Sequence, residues 1–273
     1  MMTRYSAQQG FQAGGLSGDL YRGAAACYSA YRKPYPQPVV DHLRRRCRLD
    51  GRGRLLDAGC GTGQVFQVMA RYFDDVLAID ADPGMVDYAQ RTASSLRLDN
   101  VIVRQMRAEE LPQDAGPLRM AIFGASFHWM DRRCVGNKVY NLLAPGGYVA
   151  VLSPGGIHSG TTDWEATVRA VLRRHLGAER RAGGGVYSEG ERHEQALRRT
   201  SFERIEITDI PVREWWSIDE IVGYLYSTSY ASQAILGERC EAFEQDLREQ
   251  LLSLRHEGQF EKVAEYAVIL AES

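Results

Sequence analysis

The residues of this chain best placed to do chemistry are two carboxylates and three alternating glycines. Asp57 is followed by Gly59, Gly61 and Gly63, and a second acid, Asp80, stands 21 residues after Gly59. Leu55 and Leu56 precede the first acid; Val65, Phe66, Val68 and Met69 follow the last glycine, with Gln64, Gln67 and Arg71 between them. That pattern reads as a buried strand, a tight turn and the start of a helix. A backbone without Cβ atoms lets a ligand reach contact distance, and the open amides of a helix start offer it donors. Asp80 ends the apolar run 76–80, where a carboxylate can accept both hydroxyls of a ribose. A dinucleotide fingerprint needs a third glycine where Gln64 stands, so nothing points to a pyrophosphate site and a dehydrogenase ranks low. The plain alternative is a glycine-rich turn that only joins two elements.

These residues need a frame, and the apolar runs supply one. Strands are expected at 55–57, 76–80, 101–103, 120–123 and 148–152, with helices over 62–72, from Asp82 and Pro83 onward, and over 131–143. Asp82 is the expected N-cap and Pro83 the first helical residue. Strands alternating with helices at this spacing predict a parallel, doubly wound sheet with right-handed crossovers. Before it, a helix over 20–31 capped by Asp19 is expected to end at Pro34, Pro36 and Pro38, followed by a second helix over 39–47. After residue 152 the rhythm changes. A helix over 163–176, a loose loop at 181–185, a polar helix over 189–199, a strand over 202–210 and a mainly helical stretch over 217–255 are expected. A last strand over 260–271 should lie beside 202–210.

Composition bounds the function classes. The 273 residues are 44% hydrophobic and 25% charged, ordinary for a globular protein. A net charge of -2 provides no field for nucleic acid or an anionic membrane. Arg44-Arg45-Arg46 and Arg132-Arg133 read as solvated helix faces. The five cysteines are scattered and odd in number, without a zinc-type spacing, so no metal is expected and a reducing compartment is. There is no leader pattern and no run long enough to cross a bilayer, which gives a cytoplasmic expectation. The sequence does not speak to oligomeric state.

Residues 55–64 resemble the cofactor motif of the Rossmann-like (class I) S-adenosylmethionine-dependent methyltransferases. Asp80-Ala81-Asp82-Pro83-Gly84-Met85 is similar to the second motif of that family, Ala108-Glu109-Glu110-Leu111-Pro112 to its adenine-contacting motif, and Leu143-Ala144-Pro145-Gly146-Gly147 to its turn before the fifth strand. These agree in order and spacing over residues 54–152. Tyr28-Ser29-Ala30-Tyr31-Arg32-Lys33-Pro34-Tyr35-Pro36 and Ser126-Phe127-His128-Trp129-Met130-Asp131 resemble segments of a small-molecule, His-Trp subgroup, and residues 223–230 look like its cap helix. The expected fold is therefore α/β: a doubly wound, mostly parallel seven-stranded sheet with the last strand antiparallel, plus an N-terminal helical segment and helical cap insertions. Its expected parts are a lid segment over 1–53, the cofactor-binding core over 54–152, an insertion over 153–201 and a C-terminal sheet-and-cap part over 202–273.

The resemblance implies S-adenosylmethionine as cofactor, S-adenosylhomocysteine as product and a small-molecule acceptor, with no nucleic acid or membrane partner. It places Asp57 at the methionine amino group, Gly59 and Gly61 against the cofactor, and Asp80 on the ribose. Ala81, Met85 and Ala108 are expected around adenine. Arg107 stands where the family often has an acid, which leaves Glu109 or a backbone carbonyl to accept from the amine. Gly124 and Ala125 offer carbonyls to the methionine amino group, Tyr28 folds over the cofactor, and Arg32 pairs with its carboxylate or else packs with the N-terminal helix. His128 is the candidate base, or a pocket-lining ring; Trp129, Tyr31, Tyr35 and Tyr226 are the candidate acceptor contacts. Trp215 and Trp216 fall in a segment expected to form a lid or the core of a cap. His158 and His175 are expected on the surface. A competing class binds the same cofactor without methylating, as a cyclase or a sensor, since the glycines and Asp80 report binding alone.

Overall fold

The computed structural model describes residues 24–157, 160–177, 181–182, 185–186 and 190–273. The chain enters through α1 (Ala25–Tyr31) and α2 (Gln37–Arg46). Pro38 lies in the first turn of α2 rather than before it, because a missing N–H costs nothing where no intrahelical acceptor exists. The expected start near residue 20 and its Asp19 cap lie outside the described residues. Then come β1 (Arg54–Ala58), α3 (Phe66–Met69), β2 (Asp75–Asp80), α4 (Pro83–Ser95), β3 (Val101–Gln105), β4 (Leu118–Gly124), α5 (Arg132–Leu142) and β5 (Leu143–Pro154). Asp82 caps α4 by accepting from Met85 N at 2.9 Å, and Asp131 caps α5 by accepting from Cys134 N at 2.9 Å. The helix expected over 62–72 begins only at Phe66, since the glycines before it hold left-handed turn angles.

The remainder is α6 (Asp163–Leu176), the ribbon β6 (Arg181–Ala182) and β7 (Gly185–Val186), α7 (His193–Arg198), β8 (Arg204–Ser217), α8 (Ile218–Tyr226), α9 (Gln233–Leu236), α10 (Cys240–Leu254) and β9 (Gln259–Glu272). The main sheet has seven strands in the order β3-β2-β1-β4-β5-β9-β8, parallel from β3 to β5, with β9 antiparallel to both of its neighbours. The expected seven-stranded architecture is thus present. β8 runs to Ser217, well past the expected end at residue 210, so both tryptophans lie on the sheet's edge strand; Trp216 is buried in the cap core, as one of the two readings expected, and Trp215 is exposed. Pro211 does not end it, since β8 is the outermost strand.

Successive residues of β1 feed opposite faces: Leu55 packs with α2, α3 and α4 in one core, Leu56 with α5 and α7 in the other. A third core lies in the cap, where Trp164, Leu225, Phe243 and Phe260 meet. Helix α6 packs on α10, whereas α7 packs on α5 against the sheet, so the stretch 153–201 serves two cores. Buried His193, Ala196 and Leu197 make α7 less polar than its sequence suggested. His175, expected at the surface, is largely covered and bonds Asp246 at 3.0 Å. His158 lies outside the described residues. Arg44, Arg45 and Arg46 are exposed, as expected. Among the described residues no helix is long and apolar enough to cross a membrane.

The N-terminal helix docks on the cap. A Cβ on Gly223 of α8 would lie 2.2 Å from the Tyr31 ring, so the close approach of α1 and α8 requires glycine there. Phe243 is fully buried at the centre of the cap core. Phe243→Ala is expected to lower stability by about 3–5 kcal/mol in denaturant unfolding, the range for a large aromatic deleted from a packed core. A loss under about 1 kcal/mol would show that the cap core collapses around the gap.

Candidate active site

The glycine turn is held by the end of β2. The Ile79 carbonyl accepts from Gly59 N at 2.8 Å and Cys60 N at 2.9 Å. The Asp80 carboxylate accepts from Gly61 N through one oxygen and from Asp82 N through the other, each at 2.9 Å. Burial pushes the Asp80 carboxyl above its ordinary range, and those backbone N–H groups pull it back. Gly59, at φ +69°, sits with its missing Cβ facing Ser126 at 2.5 Å. Gly63, at φ +103°, would put a Cβ 2.3 Å from the Phe66 ring. Its glycine is therefore demanded by packing, not by ligand approach.

Asp57 lies under this turn rather than on a cavity wall. It is fully buried and accepts from Phe66 N at 3.2 Å, so it fastens the start of α3. Its second oxygen has no hydrogen-bond partner among the described residues. Burial raises its pKa to about 8 despite the Phe66 bond, and Asp80 adds to the rise.

A cavity of about 390 Å³ opens at the carboxyl ends of β1, β2 and β4. Gly59, Gly61 and Tyr28 line one end; Asp80, Ala81 and Met85 come from the end of β2 and the start of α4. Ala108 and Glu109 follow β3, and Gly124 and Trp129 follow β4. The structure thus gathers predicted residues from the ends of four strands, with Tyr28 from α1, into one cavity. Sequence reasoning missed Gln105, Met106, Ser126 and Met130, which also line it. Met106 directly follows β3, where a residue must point toward the strand ends, and that position was a usable signal. Glu109 accepts from Asp131 N at 2.9 Å and lies 3.6 Å from the Arg107 guanidinium; its carbonyl accepts from Lys138. Arg107, which departs from the family pattern, thereby orients the adjacent acid.

The loop after β4 is strained to fit. Ala125 holds φ +55°, its N–H donates to Leu152 O at 2.9 Å, and the Ser126 hydroxyl donates to Ala58 O at 2.6 Å. The following 3₁₀ turn, Phe127–Trp129, sends Phe127 into the core and Trp129 to the cavity. His128 is not among the residues lining either cavity. Its ring sits 4.7 Å from Trp129 and 6.1 Å from His193. His193 is almost fully buried, and burial, with His128 and Arg132 nearby, lowers its pKa to about 3.

A second, smaller chamber of about 70 Å³ adjoins the first, sharing Tyr28, Gly124 and Ala125 as walls. Arg32 and Tyr35 line it together with Glu214, Trp216, Tyr224 and Tyr266. Arg32 is clamped: its Nε donates to the Ser227 hydroxyl at 2.8 Å, and its guanidinium lies 4.3 Å from the Tyr224 ring and 4.9 Å from the Tyr28 ring. Tyr31 borders neither chamber because its ring is committed to Gly223. Tyr226 is buried in the cap core with its hydroxyl donating to Glu244 at 2.8 Å, away from both chambers. Glu214, Lys262 and Tyr266 were not found from sequence, because only the β8–β9 register brings residues about fifty apart onto one face.

The raised pKa of Asp57 carries a stability consequence. The folded state holds a proton that the unfolded chain releases near pH 4, so stability falls as pH rises toward about 8. Asp57→Asn keeps an oxygen for Phe66 N and removes the buried charge. It is expected to raise the melting temperature relative to the parent at pH 9, with that advantage shrinking at pH 5. Equal differences at the two pH values would show that Asp57 titrates normally.

A family model described as a methyltransferase domain matches residues 55–147. An uncharacterised methyltransferase of Mycobacterium tuberculosis is 26% identical over 132 residues, 48% of this chain and 51% of that one. The chain spans about half the length of the curated relatives it matches. Among solved structures, a protein of Anaeromyxobacter dehalogenans with an inferred type II methyltransferase name aligns at TM-score 0.61 and 20% identity, covering 89% of this chain and 97% of the other. The [4+2]-cyclase SpnF aligns at TM-score 0.55 and 18% identity, covering 94% and 95%. These likenesses to solved structures show the fold. The matched methyltransferase domain lies over the glycine turn, Asp80 and the strand ends that form the larger cavity, so it is the part of the chain that carries this site that is similar to S-adenosylmethionine-dependent methyltransferases.

Proposed function

We propose that the protein transfers a methyl group from S-adenosylmethionine to a small organic acceptor. The observation that carries this reading is the arrangement of the larger cavity: an acid at the end of β2, an apolar slot beside it and a Cβ-free turn opposite, with a second chamber abutting Gly124. Its volume falls in the range of small-molecule sites. When bound, S-adenosylmethionine supplies an electrophilic methyl on sulfur. Asp80 retains lone pairs for ribose hydroxyls while holding the turn. Ala81, Met85 and Ala108, joined by Met106, supply apolar and sulfur contacts to the faces of adenine. Trp129 walls the cavity, and the Gly124 carbonyl is available to the amino group.

Asp57 acts by shaping the turn, and Arg32 by joining α1 to α8 behind Tyr28. Holding two reactants in line can supply about 7–11 kcal/mol of the barrier. The chain's main contribution is therefore position and exclusion of water. The aromatic second chamber and the resemblance to small-molecule methyltransferases support an acceptor from secondary metabolism.

The cyclase likeness keeps a non-methylating reading in play, because the same cavity serves either use. Incubation with methyl-labelled S-adenosylmethionine and a panel of small acceptors separates them: label is expected in at least one acceptor, and tight cofactor binding with no transfer to any favours the other. Asp80→Ala is expected to weaken cofactor binding by about 1–3 kcal/mol in calorimetry, the scale of lost hydrogen bonds to a charged group. An unchanged dissociation constant would sink the ribose assignment.

A further inference from the structure

The second chamber contains a carboxylate with an unusual set of neighbours. Glu214 is half-buried on β8, and both its oxygens are held by neutral donors: the Tyr266 hydroxyl at 2.6 Å and Trp216 Nε1 at 3.0 Å. Among the described residues it forms no ion pair, although three cations share the chamber. Lys262 is its register partner on β9, yet the Lys262 ammonium turns away to the Gly155 carbonyl at 3.0 Å and to buried Glu165 at 3.6 Å. Lys33 lies over Trp216 and pairs with Glu220 at 3.1 Å. Arg32 is held against Ser227 and two tyrosine rings. The remaining aromatic surface comes from Tyr35 and Tyr266, which meet edge-on at 6.1 Å.

We propose that this chamber is the acceptor site and that Glu214 selects an amine, holding it as an ammonium and taking its proton before transfer. The inference rests on the methyl-transfer reading above. A carboxylate already bonded through both oxygens to fixed donors keeps its charge in place and retains lone pairs toward the chamber. It attracts a cationic head group, which aromatic rings also favour; Lys33 and Lys262 are offset by Glu220 and Glu165, so the charge opposing it in the chamber is the clamped Arg32. A chamber of about 70 Å³ takes a head group rather than a whole drug-sized molecule. Gly124 and Ala125, common to both cavities, place that head group against the methyl-donor end of the larger one. One ammonium proton passes to Glu214 and on to water. The freed nitrogen lone pair forms the N–C bond as the C–S bond breaks and its electron pair leaves with sulfur. The products are a methylated ammonium, a neutral thioether and one released proton.

Three probes of similar shape test this: benzylamine, benzyl alcohol and benzoate, titrated by ligand-observed NMR into wild-type protein saturated with S-adenosylhomocysteine. Benzylamine is expected to bind roughly tenfold more tightly than either, the scale of a hydrogen bond to a charged group. Glu214→Gln is expected to erase that preference while S-adenosylhomocysteine affinity stays at the wild-type value, which also certifies the variant's fold. If Glu214→Gln does not fold, the wild-type ranking alone decides. Equal binding of the three probes, a preference for benzoate, or an amine preference that survives in folded Glu214→Gln overturns the proposal. Failure of S-adenosylhomocysteine to bind wild-type protein overturns the methyl-transfer reading as well; intact binding without amine preference overturns this inference alone.

Discussion

The site depends on how the end of β2 holds the turn after β1. Two acceptors and four N–H groups meet there: the Ile79 carbonyl takes the N–H groups of Gly59 and Cys60, and the Asp80 carboxylate takes those of Gly61 and Asp82. A parallel strand pair brings β1 and β2 side by side, with Ala58 opposite Ile79, so the turn leaving β1 must pass over the last residues of β2. Left-handed angles at Gly59 and Gly61 aim these amides at acceptors on the neighbouring strand. The acid proposed to read a ribose is thus also the acid that builds the turn. Ligand binding and loop geometry share one carboxylate, which links cofactor affinity to local order.

Burial of charge recurs around this centre. Asp57 is sealed beneath the turn with one oxygen bonded, and the protein tolerates it by raising its pKa rather than by adding a cation. In the cap, Lys262 and Glu165 are both nearly inaccessible and face each other at 3.6 Å. Removing one partner of such a pair leaves an uncompensated charge, while the intact pair contributes little net stability. Its effect is placement: the pair draws the Lys262 ammonium away from Glu214 and leaves that carboxylate to neutral donors.

The cap and the N-terminal helix form one assembly over the strand ends. Tyr31 seats on Gly223, Arg32 reaches Ser227, and Lys33 reaches the Trp215 carbonyl at 2.8 Å and Glu220. Three consecutive residues thereby tie α1 to β8 and α8, while Tyr28 on the same helix faces the larger cavity. Any shift of α1 changes the wall common to the two chambers. The chamber proposed for the acceptor is therefore built from segments distant in sequence, and the cavity proposed for the cofactor from strand ends of one sheet with Tyr28.

That division explains what could be read beforehand. The glycine turn, Asp80, the Asp82-Pro83 helix start and the positions of the first five strands along the chain were legible because each is a local pattern: an apolar run, a cap, a residue without Cβ. The seven-stranded sheet followed from their alternation and from the resemblance. Three-dimensional packing alone decided that Asp57 sits beneath the turn, that Gly63 is required by the Phe66 ring, and that Tyr226 belongs to the cap core. It also decided which neighbour of a short 3₁₀ turn faces the cavity, Trp129 and not His128, since that depends on where Phe127 finds the core. Glu214 and Tyr266 meet only because β8 and β9 pair over fourteen residues in one register. A one-residue slip would turn those side chains to the other face, and nothing local in either strand states which register wins.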